Sequence, residues 1–240
     1  MTTDVTAYLS YQEWKGWGHN RFMRPTTGDL NYFDAELHGL DVTAGAVLDI
    51  GFGNGEMLAW AQRAGAPSIY GTEIDDAALS AAAERGIQTL PLDPASWPAV
   101  LDGQFVLVSA FDLLEHLTRE QALDLLERVG RLLKPGGWFV ARFPNGQSPF
   151  GRAYQHGDIT HLSTLSGPLI GQLIRGLPFE MLRYGDPVRP TEGSLLSRVG
   201  RAGRDLLRLG FEFAIRRMYR VNVPFDPNLV VVLRRIEDKE

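Results

Sequence analysis

The sequence has no cysteine, which excludes a disulfide framework, a thiolate zinc site and a cysteine nucleophile. Lysine is scarce. Lys15, Lys134 and Lys239 are the only lysines, so nearly all of the 24 basic residues are arginine. No apolar run approaches the roughly 20 residues that a spanning helix needs. The N-terminal stretch MTTDVTAYLSYQEW has neither a basic n-region nor an apolar h-region. No signal peptide is therefore expected, and the default compartment is the cytoplasm. Against 29 acidic residues the formal net charge is −5, which argues against a general nucleic-acid binder. No internal repeat or low-complexity segment stands out. The remaining composition, 44% hydrophobic and 22% charged over 240 residues, is that of one globular domain with room for an appendage.

From residue 46 the chain alternates strand and helix signals. AVLDI (46–50) is a continuous apolar run that ends in a glycine-rich turn, as expected of a strand buried on both faces. Residues 55–64 read as a helix, 68–73 as a strand and 76–84 as a helix with Asp75 or Asp76 as N-cap. IQTLPL (87–92) is a weak third strand and QFVLVSA (104–110) a strong fourth. A helix over 119–132 is stopped by KPGG, and WFVARF (138–143) follows as a fifth strand. A further helix over 163–175 and strands over 179–184 and 228–235 complete the pattern. Such alternation implies an α/β fold with a doubly wound parallel sheet.

The most informative stretch is Asp49-Ile-Gly51-Phe52-Gly53-Asn-Gly55, between a buried strand and a helix. Glycines there allow a tight turn and close approach of a ligand, and the helix N-terminus offers N–H groups. A dinucleotide fingerprint would read G-x-G-x-x-G. Here the third glycine comes one residue early and Glu56 takes its place. A carboxylate there disfavours a pyrophosphate and suits a ligand carrying an ammonium or sulfonium. Glu73, at the end of the second strand, can accept hydrogen bonds from the vicinal hydroxyls of a ribose. A loop with a surface acid is the bland alternative for each feature alone.

With these residues in order, the chain resembles the class I S-adenosylmethionine-dependent methyltransferases. VLDIGFGNGEML looks like their first motif and YGTEID like their second. FVLVSAFDLLEHL and RLLKPGGWFVARFPN are similar to the segments around their fourth and fifth strands. The resemblance implies a Rossmann-like seven-stranded sheet of order 3-2-1-4-5-7-6 with strand 7 antiparallel. It implies S-adenosyl-L-methionine as cofactor, with Asp49, Gly51, Phe52, Gly53, Gly55, Glu73, Ile74, Asp93 and Ala110 around it. Leu92-Asp93-Pro94 is only a fair match to the third motif. Ala110-Phe111-Asp112 lacks the Asn-Pro-Pro-Tyr signature of base-amino methyltransferases, which argues against exocyclic amines of nucleic-acid bases as acceptors.

A hydroxyl acceptor needs a base, and histidine suits that role near neutral pH. Of five histidines, His161 in His156-Gly-Asp158-Ile-Thr160-His161 follows strand 5, on the side where open α/β folds bind ligands. His161 is taken as general base, Asp158 as its orienting acid and His116 as a further catalytic candidate. The competing readings are a loop histidine bonded to backbone for His161 and a structural histidine for His116. Asn145 is expected to cap the turn beneath the pocket. The reading requires no metal, and Asp75, Asp76, Asp93 and Asp158 form no metal-like cluster by spacing.

Two segments flank this core. The aromatic residues of 1–40 are expected to form a lid, with Arg21 or Arg24 pairing a cofactor carboxylate; packing on the sheet edge is the alternative. Residues 185–227 are an insert between strands 6 and 7. Within 195–220 seven arginines (198, 201, 204, 208, 216, 217 and 220) face two acids, Asp205 and Glu212. That window is 7 − 2 = +5, leaving −10 for the remainder. The wheel predicts two amphipathic basic helices hinged near Gly210, with Leu206, Leu207, Phe211 and Met218 on the apolar arcs. Such helices suit an anionic membrane surface, a phosphate-bearing acceptor or a homodimer interface. The functional expectation is O-methylation of a sugar hydroxyl of a surface polysaccharide or its lipid-linked precursor, at the inner face of a membrane. The alternatives are a small-molecule O-methyltransferase (quinone or secondary metabolite), a nicotinamide-binding oxidoreductase and a non-catalytic scaffold.

Overall fold

A computed structural model describes residues 22–189 and 195–237, without the side chains of residues 195–199. In chain order the elements are α1 (Thr27–Glu36), β1 (Ala46–Ile50), α2 (Glu56–Arg63), β2 (Ile69–Thr72), α3 (Asp76–Glu84) and β3 (Gln88–Thr89). They continue with β4 (Phe105–Phe111), α4 (Arg119–Leu132), β5 (Leu133–Pro144), α5 (Arg152–Gln155), α6 (Gly167–Leu173), β6 (Phe179–Gly185), α7 (Leu195–Tyr219) and β7 (Asn228–Arg235). The seven strands form one sheet of order β3-β2-β1-β4-β5-β7-β6. Neighbours are parallel from β3 to β5, and β7 runs antiparallel to both β5 and β6.

The apolar runs explain the layers. β1 is buried at every position and β4 at all but its last residue, because helices cover both faces. On one face Leu125, Leu126, Val129 and Leu132 of α4 pack with Leu48, Phe105 and Phe139. On the other, Phe33 of α1 and Met57, Leu58 and Trp60 of α2 pack with Val47, Leu107 and Val140. α4 starts at a capping box, in which Thr118 and Gln121 satisfy each other's backbone N–H groups. α1 starts with the same device from Thr26 and Asp29.

Several boundaries differ from the sequence expectation. The third strand shortens to two residues, since Pro91 and the exposed Leu92 leave the edge. The helix expected over 163–175 begins at Gly167, where Ser166 caps it and Pro168 occupies the first turn. The short α5 carries no clear periodicity in the sequence.

The largest correction concerns the insert. α7 is one continuous helix of 25 residues, about 37 Å long, and does not hinge at Gly210. An interior glycine costs about 1 kcal/mol relative to alanine but keeps its N–H, so alone it does not end a helix. The charged arc, not the apolar one, faces the body. Arg208 donates to Glu212, Asp226 and Asp186. Arg216 donates to Asn222 and Glu212 and lies over the Phe225 ring. Leu206, Leu207, Phe211, Phe213 and Met218 are exposed instead. The acids of the flanking loops, Asp186 and Asp226, turn the charged arc of the helix toward the body.

Gly71 of β2 fits closely against the turn after β1. A Cβ there would stand 2.5 Å from Cδ1 of Phe52. Gly71→Ala is expected to displace that ring and cost about 1–3 kcal/mol, read as a lower midpoint in thermal or urea unfolding.

Candidate functional site

The turn between β1 and α2 is built from the inside. Gly51, Gly53 and Gly55 all take positive φ (74, 50 and 74°), a region costly for other residues. The end of β2 holds the turn in place. Thr72 carbonyl oxygen accepts from the N–H groups of Gly51 and Phe52, at 2.8 and 3.2 Å. The Glu73 carboxylate accepts from Gly53 N–H at 2.8 Å and from Ile74 N–H at 2.7 Å. Glu73 is thus buried, and Asp75 N–H also points at it, at 3.4 Å, so a ribose diol would share the carboxylate with these backbone donors. The N–H groups of residues 51, 52 and 53 fix the turn. What the turn presents is an acidic rim.

Asp49 and Glu56 complete that rim. Asp49 is buried and accepts from the Ser109 hydroxyl at 2.7 Å. Burial raises its carboxyl to about 7; the Ser109 bond opposes the shift, and the Glu73 and Glu56 charges add to it. Burial also raises Glu56, at the N-terminus of α2. Three carboxylates in a partly desolvated turn favour a ligand that carries positive charge.

The remaining sequence candidates divide. Ile74 is half-buried beside Glu73, and Ala110 is buried at the end of β4. The Phe52 ring is buried against Gly71 and meets Phe22 edge-on, so it shapes the turn from behind. Asp93 is exposed and caps the 3-10 turn of Pro94–Ser96. Met23 N–H donates to Asn54 carbonyl at 2.8 Å, and Phe22 and Met23 pack against Gly55. This brings Phe22 and Met23 of the expected lid onto the turn; residues 1–21, with Arg21, lie outside the described residues. Arg24 is exposed.

The catalytic candidates converge beyond β4. The loop of residues 158–163 is clamped to the turn at Leu114–His116, where Glu115 carbonyl accepts from the N–H groups of Leu162 and Ser163. The His116 and His161 rings lie 4.7 Å apart. His161 Nε2 stands 3.9 Å from Glu115 Oε1 and 3.8 Å from Asp158 Oδ2. His161, Glu115 and Asp158 side chains are each under a tenth exposed. The sequence reading missed Glu115, although Glu115-His116 stands in the fourth-strand motif. Asn145 is structural: it donates to the carbonyls of Pro224 and Asp226 and accepts from Gln147 N–H.

Comparisons with known proteins agree with this architecture. Residues 47–137 match the methyltransferase-domain family. A ribosomal protein L11 methyltransferase of Geobacter metallireducens is 37% identical over 100 residues, 41% of this chain and 32% of that protein. Its counterpart in Pseudomonas fluorescens is 33% identical over 102 residues, 42% of this chain and 34% of that one. The chain thus spans about a third of the length of these curated relatives. Among solved structures, a SAM-dependent methyltransferase of Archaeoglobus fulgidus has a TM-score of 0.62 at 17% identity, covering 95% of this chain and 99% of that one. A geranyl diphosphate C-methyltransferase of Streptomyces coelicolor, crystallised with Mg2+, geranyl diphosphate and S-adenosyl-L-homocysteine, has a TM-score of 0.58 at 15% identity, covering 86% and 77%. Residues 47–137 thus match a methyltransferase domain within a fold shared with SAM-dependent methyltransferases, which implies S-adenosyl-L-methionine as the cofactor. The rim fits that group: Glu73 for the ribose, Asp49 and Glu56 for its positive charge.

The raised carboxyl of Asp49 gives a pH signature. Its folded value of about 7 lies above the unfolded one, so its contribution to stability is lost as pH rises through about 7. Asp49→Asn is therefore expected to melt higher than the parent at pH 8, with the gain shrinking toward pH 4. A cationic ligand favours the ionised form. S-adenosyl-L-methionine should bind about tenfold more weakly at pH 6 than at pH 8, and calorimetry on Asp49→Asn should show that dependence flattened.

Proposed function

We propose that this chain transfers a methyl group from S-adenosyl-L-methionine to a hydroxyl of a lipid-linked saccharide. The acidic rim of Asp49, Glu56 and Glu73 around the glycine turn carries the methyltransferase part of this reading. When bound, the cofactor supplies an electrophilic methyl group on a sulfonium sulfur that leaves as a neutral thioether. The chain must hold the acceptor oxygen in line with that methyl group and remove its proton. His161, with Asp158 beside it, would take the proton of the acceptor hydroxyl as that oxygen is methylated. Gln155 carbonyl, 3.2 Å from His161 Nδ1, orients the imidazole.

The choice of acceptor draws on α7. Its exposed arc combines Leu207, at 77% exposure, and Phe213, at 71%, with Leu206 and Met218. Arg204, Arg217 and Arg220 are exposed and have no ion-pair partner among the described residues, whereas Arg208 and Arg216 bond to body acids. An apolar face edged by unpaired arginines fits an anionic bilayer surface. No helix among the described residues is long and apolar enough to cross a membrane. The Phe150 and Phe211 rings, 6.3 Å apart, connect α7 to the segment that bears His161 and the exposed Tyr154, Ile159 and Leu162. An acceptor with a lipid tail could lie along this apolar surface with its saccharide at the site. A small-molecule acceptor is the second reading, favoured if α7 proves to be covered by another protein chain.

Calorimetry should show S-adenosyl-L-homocysteine binding at micromolar concentrations; absence of binding at millimolar ligand would remove the methyltransferase reading. His161→Ala is expected to keep that binding and lose turnover by about 100-fold or more, and unchanged turnover would remove the site from catalysis. The protein should sediment with phosphatidylglycerol vesicles at low salt but not with phosphatidylcholine vesicles. Phe213→Asp should abolish this association. A failure to sediment, with a dimer seen by light scattering, would assign the face to a second copy instead.

A further inference from the structure

We propose that the cleft between the end of β6 and the residues that follow α7 is a binding site for one neutral hexose unit. The site rests on the proposed function only for its purpose, which is to hold a saccharide acceptor beyond its methylated hydroxyl; the binding stands apart from methyl transfer.

The cleft has a volume of about 290 Å³. Small-molecule sites begin at about 300 Å³, so it suits a single pyranose ring. Tyr184, Gly185 and Asp186 line it from β6 and the residue beyond. Arg216 lines it from the last turn of α7, and Asn222 and Val223 from the segment that follows.

Its place in the fold ties it to the transfer site. β7 runs antiparallel to both β5 and β6, so β6 is parallel to β5 and ends on the same edge of the sheet as β1 and β4. That edge bears the glycine turn. Both ends of the segment 145–167, which carries His161, are fastened to the cleft. At one end Asn145 donates to the carbonyls of Pro224 and Asp226, and the Ser148 hydroxyl to that of Phe225. At the other, Gly167 lies so close to the Tyr184 ring that a Cβ there would overlap it.

The lining selects against charged and apolar ligands. Asp186 accepts from Arg208 at 2.8 Å and from Asp226 N–H at 3.0 Å. Arg216 donates to Glu212 at 3.5 Å and to Asn222 at 2.7 Å. These charges are already compensated, so an ionic ligand gains little from them. An apolar ligand would strip water from the same groups without replacing its hydrogen bonds. A sugar hydroxyl both donates and accepts. A guanidinium only donates, so Asn222 Oδ1 faces Arg216 and the carboxamide is fixed; its NH2 limb has no partner among the described residues. Each Asp186 oxygen accepts one of the bonds above and has capacity for a second. The Tyr184 ring, 41% exposed and backed by Gly167, adds a rigid apolar surface for the C–H face of a pyranose.

The test titrates the full 15N-labelled chain with the methyl glycosides of glucose, galactose and mannose and with N-acetylglucosamine; inorganic phosphate serves as the charged probe. At least one sugar should bind in the millimolar range and shift the Asn222 side-chain amide and Gly185 N–H, whereas phosphate should leave them unmoved. Tyr184→Leu and Asn222→Ala should each weaken that sugar about tenfold. S-adenosyl-L-homocysteine binding, measured on the same samples, should be unchanged in both variants and so reports on folding. Its absence in the parent would remove the methyltransferase reading and leave the cleft to be judged by the sugars. Should a variant fail to fold, the shift map of the parent decides. No shift with any of the sugars, shifts centred away from 184–186 and 222–224, or phosphate binding in their place would overturn the proposal.

Discussion

The bond on which the site depends runs from Gly53 N–H to the Glu73 carboxylate. It joins the turn after β1 to the end of β2 across 20 residues of sequence. The same carboxylate caps Ile74 N–H, and Thr72 holds Gly51 and Phe52 from the neighbouring position. The glycine turn therefore takes its shape from the protein itself before any ligand arrives. Preorganisation of this kind reduces the ordering cost of binding. It also explains the glycine at position 71, because only an absent side chain lets Phe52 seat behind the turn. Asp49 adds a second constraint, as its buried carboxyl sits near neutrality among other acids.

Charge organises α7 and its flanking loops. α7 uses Arg208 and Arg216 to bind Asp186, Asp226 and Glu212, and this leaves its apolar residues outward. A water-exposed helix ordinarily does the reverse. The inversion follows from the loops on either side of the helix, which supply buried or half-buried acids that must be paired. An exposed apolar arc of this extent marks an interaction surface.

Much of this was legible in the sequence, and the limits have physical causes. Strands β1 and β4 are buried enough to read as near-continuous apolar runs, and β5 and β7 hold such runs over 138–141 and 229–233. The glycine spacing and Glu73 pointed to a nucleoside site because each residue acts through local geometry. The inward face of α7 was not legible. The wheel assigns arcs correctly, but which arc faces the body depends on Asp186 and Asp226, outside the helix. Glu115 was passed over because it lies next to His116, and its meeting with His161 depends on the loop of residues 158–163 folding back onto β4. The hinge expected at Gly210 overrated one glycine. Gly210 has open space around its missing side chain and no tertiary role that would break the helix there.

The most direct measurement is a backbone amide titration of the 15N-labelled protein with S-adenosyl-L-methionine. The account predicts that the largest shifts fall on Gly53, Ile74 and their neighbours in the turn and at the end of β2. It also predicts that Glu73→Ala removes those shifts while the remaining spectrum stays folded. Saturable shifts centred elsewhere, with Gly53 and Ile74 unmoved, would contradict it.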